Sequence, residues 1–206
     1  MTVIAPNEGE VVGDSRDRRV EILCDQEALN ATWSRFGPGR DGADLHIHRR
    51  HTDCFYVLEG ELTVKLETGE VTVSAGSLAR VPPMVVHGFR NGSDADVRYL
   101  NLHAPGMGFA DYMRSIRDGD PISYDQEPPP ETGTRPATDA VITDGPLLAD
   151  TPELRAEVVT TAQPGPGWLY VLEGNDDLAT GSWAQGPLTV AAPIRVLAIQ
   201  APGATP

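Results

Sequence analysis

His46 and His48 stand one residue apart. In an extended strand, residues two apart share a face, so both imidazoles point one way and Ile47 points the other. Two imidazoles on the buried face of a strand are costly unless something uses their nitrogens, and a transition metal is the commonest such partner. Asp53 follows, and a turn through Arg49-Arg50-His51-Thr52 brings it alongside. His87 lies on a later β-like segment. Three histidines and a carboxylate make a donor set that divalent Fe, Mn, Ni, Co or Zn accepts. The expected cofactor is one such ion per chain. His51, in a strongly polar run, reads as an exposed turn or rim group. His103 reads as a hydrogen-bonded interior histidine or, more sharply, a base beside the metal. Cys54, next to Asp53, points away from the site.

The elements that must position these side chains read as β. Leu62, Val64 and Leu66 alternate with Thr63, Lys65 and Glu67, and Thr68-Gly69 marks a turn before Val71-Thr72-Val73. That is a hairpin with one buried face. Further strands are expected at 20–24, 31–36, 44–48, 54–58, 78–81, 85–90 and 98–103. Many short strands at even spacing predict a barrel or sandwich. Parity extends the site: if Asp53 and His87 point inward, so do Phe55, Val57, Val85 and Phe89. Val64 and His103 join them as expected pocket residues. Apolar walls around a polar metal describe a small-molecule site; the same residues would also fill a closed core. Phe109, Tyr112, Met113 and Ile116 at helical spacing predict a helix packed on the barrel's outer face, with a lid over a site as the alternative, stopped at Gly119-Asp120-Pro121.

The composition changes near residue 118, and all five histidines lie before it. Residues 1–118 are expected to form the barrel with its packing helix. Residues 119–140, with Pro128-Pro129-Pro130, read as an extended linker. Residues 141–206 read as a β-rich C-terminal part with strands at 156–161, 168–172, 188–190 and 194–199. Tyr56-Val-Leu-Glu-Gly60 recurs as Tyr170-Val-Leu-Glu-Gly174, which points to a degenerate duplication. The histidine and aspartate positions then map onto Thr160, Ala162 and Gly167, so the second copy holds no metal. Trp168 and Trp183 are expected core or interface anchors.

Spacing around the histidines resembles the cupin family. Its first motif, G-x5-H-x-H-x3–4-E-x6-G, is met by His46-Ile47-His48, four residues, Asp53, six residues and Gly60, with Gly42 off register. Its second, G-x5-P-x-G-x2-H-x3-N, is met by Gly76, Pro82, His87 and Asn91, with Met84 where the family has glycine. The resemblance implies a jelly-roll barrel, the double-stranded β-helix of cupins. It implies His46, His48, His87 and Asp53 as metal ligands, with Asp53 also taking the substrate proton. It further implies kinship with the quercetin-dioxygenase-like cupins, and a sheet-edge homodimer. Aspartate in place of glutamate shortens the reach, and Met84 calls for a different backbone shape before His87.

The chain has 206 residues and a formal net charge of −14. Such acidity excludes nucleic-acid binding, which needs a cationic footprint, and docking on anionic membranes. No apolar run spans a bilayer, and the acidic start resembles no signal peptide, so a cytoplasmic location is expected. Cys24 and Cys54 form no disulfide framework. The functional expectation is a mononuclear dioxygenase or oxygenase acting on a small organic molecule. The alternatives are a Lewis-acid isomerase or cyclase, and a non-catalytic small-ligand-binding protein with a structural metal.

Overall fold

The computed structural model describes residues 2–131 and 139–202. As the alternating runs predict, it is mostly β with one helix. The strands begin with β1 (Val3–Ile4), β2 (Glu10–Ser15), β3 (Arg18–Asp25), β4 (Asn30–Phe36) and β5 (Thr52–Glu59). They continue with β6 (Glu61–Leu66), β7 (Gly69–Ser74), β8 (Leu78–Val81), β9 (His87–Arg90) and β10 (Val97–Ala104). Helix α1 (Phe109–Asp118) follows, then β11 (Val141–Thr143), β12 (Leu147–Asp150) and β13 (Arg155–Thr161). The last are β14 (Gly167–Glu173), β15 (Trp183–Gly186) and β16 (Ile194–Gln200). Among the described residues no helix is long and apolar enough to cross a membrane.

The chain divides into two compact units, Val11–Thr143 and Met1–Glu10 with Asp144–Pro206. These bounds differ from those read in the sequence for two reasons. Strand β1 pairs with β15, which ties the first residues to the C-terminal unit. Strand β11 pairs with β8, and Ile47 and Glu127 exchange backbone hydrogen bonds, so the described part of the expected 119–140 linker is seated on the first unit. Residues 132–138 of that linker lie outside the described residues.

In the first unit one sheet has the order β11-β8-β5-β10-β4-β3-β2 and another the order β7-β6-β9. Val20, Phe36, Phe55, Val57 and Tyr99 from the larger sheet meet Leu62, Val64 and Val73 from the smaller in one apolar cluster. Burying each such side chain is worth about 1.5–3 kcal/mol. Residues 44–48, expected as a strand, are held instead by single bridges, His46 to His87 and Ile47 to Glu127.

Helix α1 lies between Gly108 and Gly119, both left-handed, and the Gly119 N–H closes its end on the Ile116 carbonyl. Its expected place on the outer face is corrected by the contacts. Phe109 stacks on His103 with ring centroids 3.8 Å apart, and Tyr112, Met113 and Ile116 line the same cavity.

The second unit has the sheet order β1-β15-β14-β16-β13-β12 over a core that includes Leu169, Val171, Ile194 and Val196. Residues 188–190, expected as a strand, form none.

Candidate metal centre and its cavity

Backbone carbonyls set the orientation of three imidazoles. His46 Nδ1 lies 2.7 Å from the Asp44 carbonyl and His87 Nδ1 lies 2.9 Å from that of Val85. His48 Nδ1 is hydrogen-bonded to the carbonyl of Asp125. A carbonyl only accepts, so each Nδ1 carries the proton and each Nε2 of the neutral ring presents a lone pair. Those lone pairs converge. His46 Nε2 lies 3.2 Å from His48 Nε2, and Asp53 Oδ2 lies 3.3 Å from His87 Nε2 and 3.6 Å from His48 Nε2. One ligand atom from each of the four residues lies within 4.8 Å of the others, and all four residues are buried.

Electrostatics keeps this set in its metal-ready form. Burial, reinforced by His87, lowers the His46 pKa to about 3, so the ring is neutral at neutral pH. Burial alone would raise the Asp53 carboxyl, but its polar neighbours, His103 foremost, more than offset it and hold it well below its usual range, with Asn101 Nδ2 donating to Oδ1. Unprotonated nitrogens 3.2 Å apart repel unless a cation lies between them. Donor atoms about 2.0–2.2 Å from one ion lie roughly 3 Å apart, so the donor chemistry and spacing fit a divalent transition metal.

A second network adjoins the first. The Asp125 carboxylate accepts from the backbone N–H groups of Arg49 at 3.1 Å and Arg50 at 2.9 Å, and from His51 Nδ1 at 3.0 Å. His51 is therefore buried, not a rim group, because the segment carrying Asp125 covers its turn. Burial lowers the His51 pKa to about 4. His103 Nε2 lies 3.1 Å from Asn101 Oδ1 and donates to it, while Asn101 Nδ2 donates to Asp53 Oδ1. The remaining His51 Nε2 and His103 Nδ1 lie 3.0 Å from each other and each 3.0 Å from the Tyr124 hydroxyl, which donates its proton to one of them. A continuous chain thus runs from Asp125 through His51, Tyr124, His103 and Asn101 to Asp53.

The cluster opens on a cavity of about 220 Å³. Of the expected pocket residues, Phe89 and His103 line it, together with His46, His48 and Asp53. Phe55, Val57, Val64 and Val85 are placed instead in the apolar core. Sequence reading missed Thr32, Ser34, Tyr99 and Asn101, although parity from His103 along β10 and across to β4 leads to them. It also missed Tyr124 and Asp125, which no periodicity marks. Gly42 is required beside the cavity, since a Cβ there would meet the Phe89 ring at 2.2 Å. Met84 departs from expectation in another way. It keeps the left-handed backbone a glycine would adopt, with φ 68°, and donates its N–H to the His48 carbonyl.

Comparison with known proteins places this geometry. Residues 32–103 match the family described as Cupin domain. Quercetin 2,3-dioxygenase of Bacillus subtilis (strain 168) is 30% identical over 118 residues, which cover 56% of this chain and 34% of that protein. The chain thus spans about a third of that relative's length. A solved Pseudomonas aeruginosa protein named for induction by glyoxylate superposes with a TM-score of 0.60 at 14% identity, covering 92% of this chain and 83% of that one. A mutant of Bacillus subtilis oxalate decarboxylase gives 0.59 at 12% identity, covering 97% of this chain and 76% of that one. At such identities these two likenesses speak for the fold alone.

Proposed function

The chain is a member of the cupin superfamily, and on that footing we propose that it is a metal-dependent enzyme acting on a small organic molecule, specifically an oxygenase. The observation that carries the reading is the anchoring of three Nδ1–H groups on carbonyls, which turns three Nε2 lone pairs and Asp53 Oδ2 toward one point. His46, His48, His87 and Asp53 would hold one divalent ion. When bound, that ion supplies a Lewis-acid centre for a substrate oxygen and, if redox-active, a route for electrons to dioxygen. The oxygenase class is supported by the likeness to the Bacillus dioxygenase over half of this chain.

The chain's own residues divide the remaining work. Phe36, Phe89, Tyr99 and Phe109 line the cavity with aromatic surface and exclude water from it. Asn101 holds Asp53 by Oδ1 and leaves Oδ2 toward the histidines. Asp53 is the base that accepts a substrate proton, and Asn101, itself held by His103, keeps its carboxylate in place. Elemental analysis of untagged protein tests the reading. Near-stoichiometric Fe, Mn, Ni or Co, with oxygen uptake on acids and phenols, is the expected result. Zinc alone would redirect it to Lewis-acid chemistry. No metal after reconstitution with each ion would sink it.

A further inference from the structure

The wall of the cavity farther along β3 and β4 carries a charge without a counterpart. Arg18 opens β3 opposite Phe36 and lines the cavity with Val20. Its Nε is buried with no hydrogen-bond partner, and among the described residues its guanidinium makes no ion pair. The nearby Asp17 carboxylate is already bonded to Arg40 Nη1 at 3.0 Å and to Ser15 Oγ at 2.8 Å. Arg40 lines the same cavity, and its Nε is also buried without a partner. Of the two acidic residues that line the cavity, Asp53 belongs to the histidine cluster and Asp41 is paired with Lys65 at 3.0 Å. In a chain of net charge −14, this wall therefore presents one cation without an ion pair, Arg18, beside Arg40, whose Nη1 is paired with Asp17.

Both arginines are half-buried, and a buried guanidinium Nε–H lacking an acceptor carries a desolvation cost. An anion in the cavity removes that cost. The guanidinium fork matches a carboxylate through two parallel N–H···O bonds. A phosphate carries a second negative charge, and beside Arg18 the lining offers Val20, Phe36 and Phe89 with hydroxyls only from Ser34 and Tyr99. Arg18, Tyr99, Asp53, His46 and His48 all line this cavity, so the cationic wall and the histidine cluster face one volume. That volume, about 220 Å³, equals roughly seven waters. It falls below the roughly 300 Å³ at which drug-sized sites begin, and so suits one ring or a short chain.

We propose that the cavity takes a small organic acid as its carboxylate, held by Arg18 with Arg40 beside it, the acid's other end facing the histidine cluster. Only that last clause rests on the metal-dependent reading; the role of Arg18 needs no metal. Calorimetric titration of chelator-treated full-length protein tests it, with benzoate, cinnamate and phenylpyruvate, their uncharged amides, and inorganic phosphate. At least one acid is expected to bind, with its amide at least tenfold weaker. Arg18→Gln should lower that acid's affinity at least tenfold without moving the amide's, and Arg18→Lys should restore part of it. Arg40→Gln should weaken the acid severalfold, and it carries the test if Arg18→Gln does not fold. The proposal is overturned if no acid binds, if acid and amide bind alike, if phosphate binds more tightly than every acid, or if the folded arginine variants bind the acid unchanged. Because no metal is present, failure here leaves the metal analysis standing, and failure there leaves this result standing.

Discussion

The two β units share a strand pattern and differ in what they place on it. Strand β5 lies between β10 and β8, and β14 lies between β16 and β15; β4 then flanks β10 as β13 flanks β16. The repeated Tyr-Val-Leu-Glu-Gly closes β5 and β14, and the register slips at Leu58 in one and at Leu172 in the other. The echo thus extends from sequence to a bulge at the same position. Phe55 and Val57 face one core; Leu169 and Val171, at the same offset, face the other. The inward polar groups do not persist. Gly167 stands for Asp53, Ala198 across from Leu169 stands for Asn101, and Val196 across from Val171 stands for Tyr99. Val159 across from Val196 stands for Ser34.

The cause lies in the connections. Between Glu59 and Leu78 the chain forms β6 and β7, and β9 completes a second sheet that carries His87. Between Glu173 and Trp183 it forms no strand, and none precedes β16 where β9 would stand. An inward carboxylate needs partners across the interior, and only the unit with a second sheet supplies them. A single sheet can keep its register on aliphatic packing alone. The lesson is that the strand frame and the polar centre are separable: a copy can lose the second and keep the first.

The largest expected effect breaks the comparison at the metal. His46→Ala/His48→Ala should lower metal affinity more than a hundredfold, leaving no residual site, because the second unit has no histidine. Equilibrium dialysis with elemental analysis measures it. Metal retained by the double variant would mean that other donors hold it.

Most of the frame was legible because it rests on period-two alternation and on glycines. Gly60 and Gly76 take φ values of 77° and 86°, and Asn91 donates to the carbonyls of Phe36 and Ala95, so these motif positions are backbone devices that leave a mark in sequence. The four converging donors were legible for the same reason. Arg18, Tyr124 and Asp125 were not, since each reaches the site through tertiary placement that no local pattern encodes. His51 misled because a polar run looks exposed until Asp125 covers it.

Acid should separate the units next. Buried His46 and His51 titrate at about 3 and about 4, against 6.5 for the free side chain. Between those values the unfolded chain binds protons that the folded chain does not, so stability falls as pH drops below 6.5 and the loss levels off near pH 3–4. Each ring should cost about 2 kcal/mol by pH 5. Asp53 and Asp125, both lowered, lose their contribution at still lower pH, in the same direction. Hydrogen exchange on chelator-treated protein at pH 7.5 and 5 should show protection lost in Val11–Thr143 and retained in the histidine-free unit. Equal loss in both would contradict the assignment.

The glycines that end the repeated pentapeptide should then prove equivalent. A Cβ on Gly60 would meet the Asp96 carbonyl oxygen at 2.5 Å, and one on Gly174 would meet that of Leu178 at 2.2 Å. Backbone cannot yield cheaply, so Gly60→Ala and Gly174→Ala should each cost about 2–3 kcal/mol. Urea unfolding measures both. A Gly174→Ala variant as stable as the parent would confine the parallel between the units to sequence.

The smallest effect concerns Met84, which the second unit has no reason to match. At φ 68° a residue with a Cβ costs about 1 kcal/mol relative to glycine. The strain is retained because the Met84 N–H reaches the His48 carbonyl at 2.7 Å, fixing the backbone that carries a candidate ligand. Met84→Gly keeps that hydrogen bond and removes the clash. It should therefore raise stability by up to about 1 kcal/mol, less whatever the half-buried thioether contributes, and leave metal affinity within about threefold. A tenfold fall in affinity at unchanged stability would show that the methionine side chain itself, and not only its backbone, positions His48.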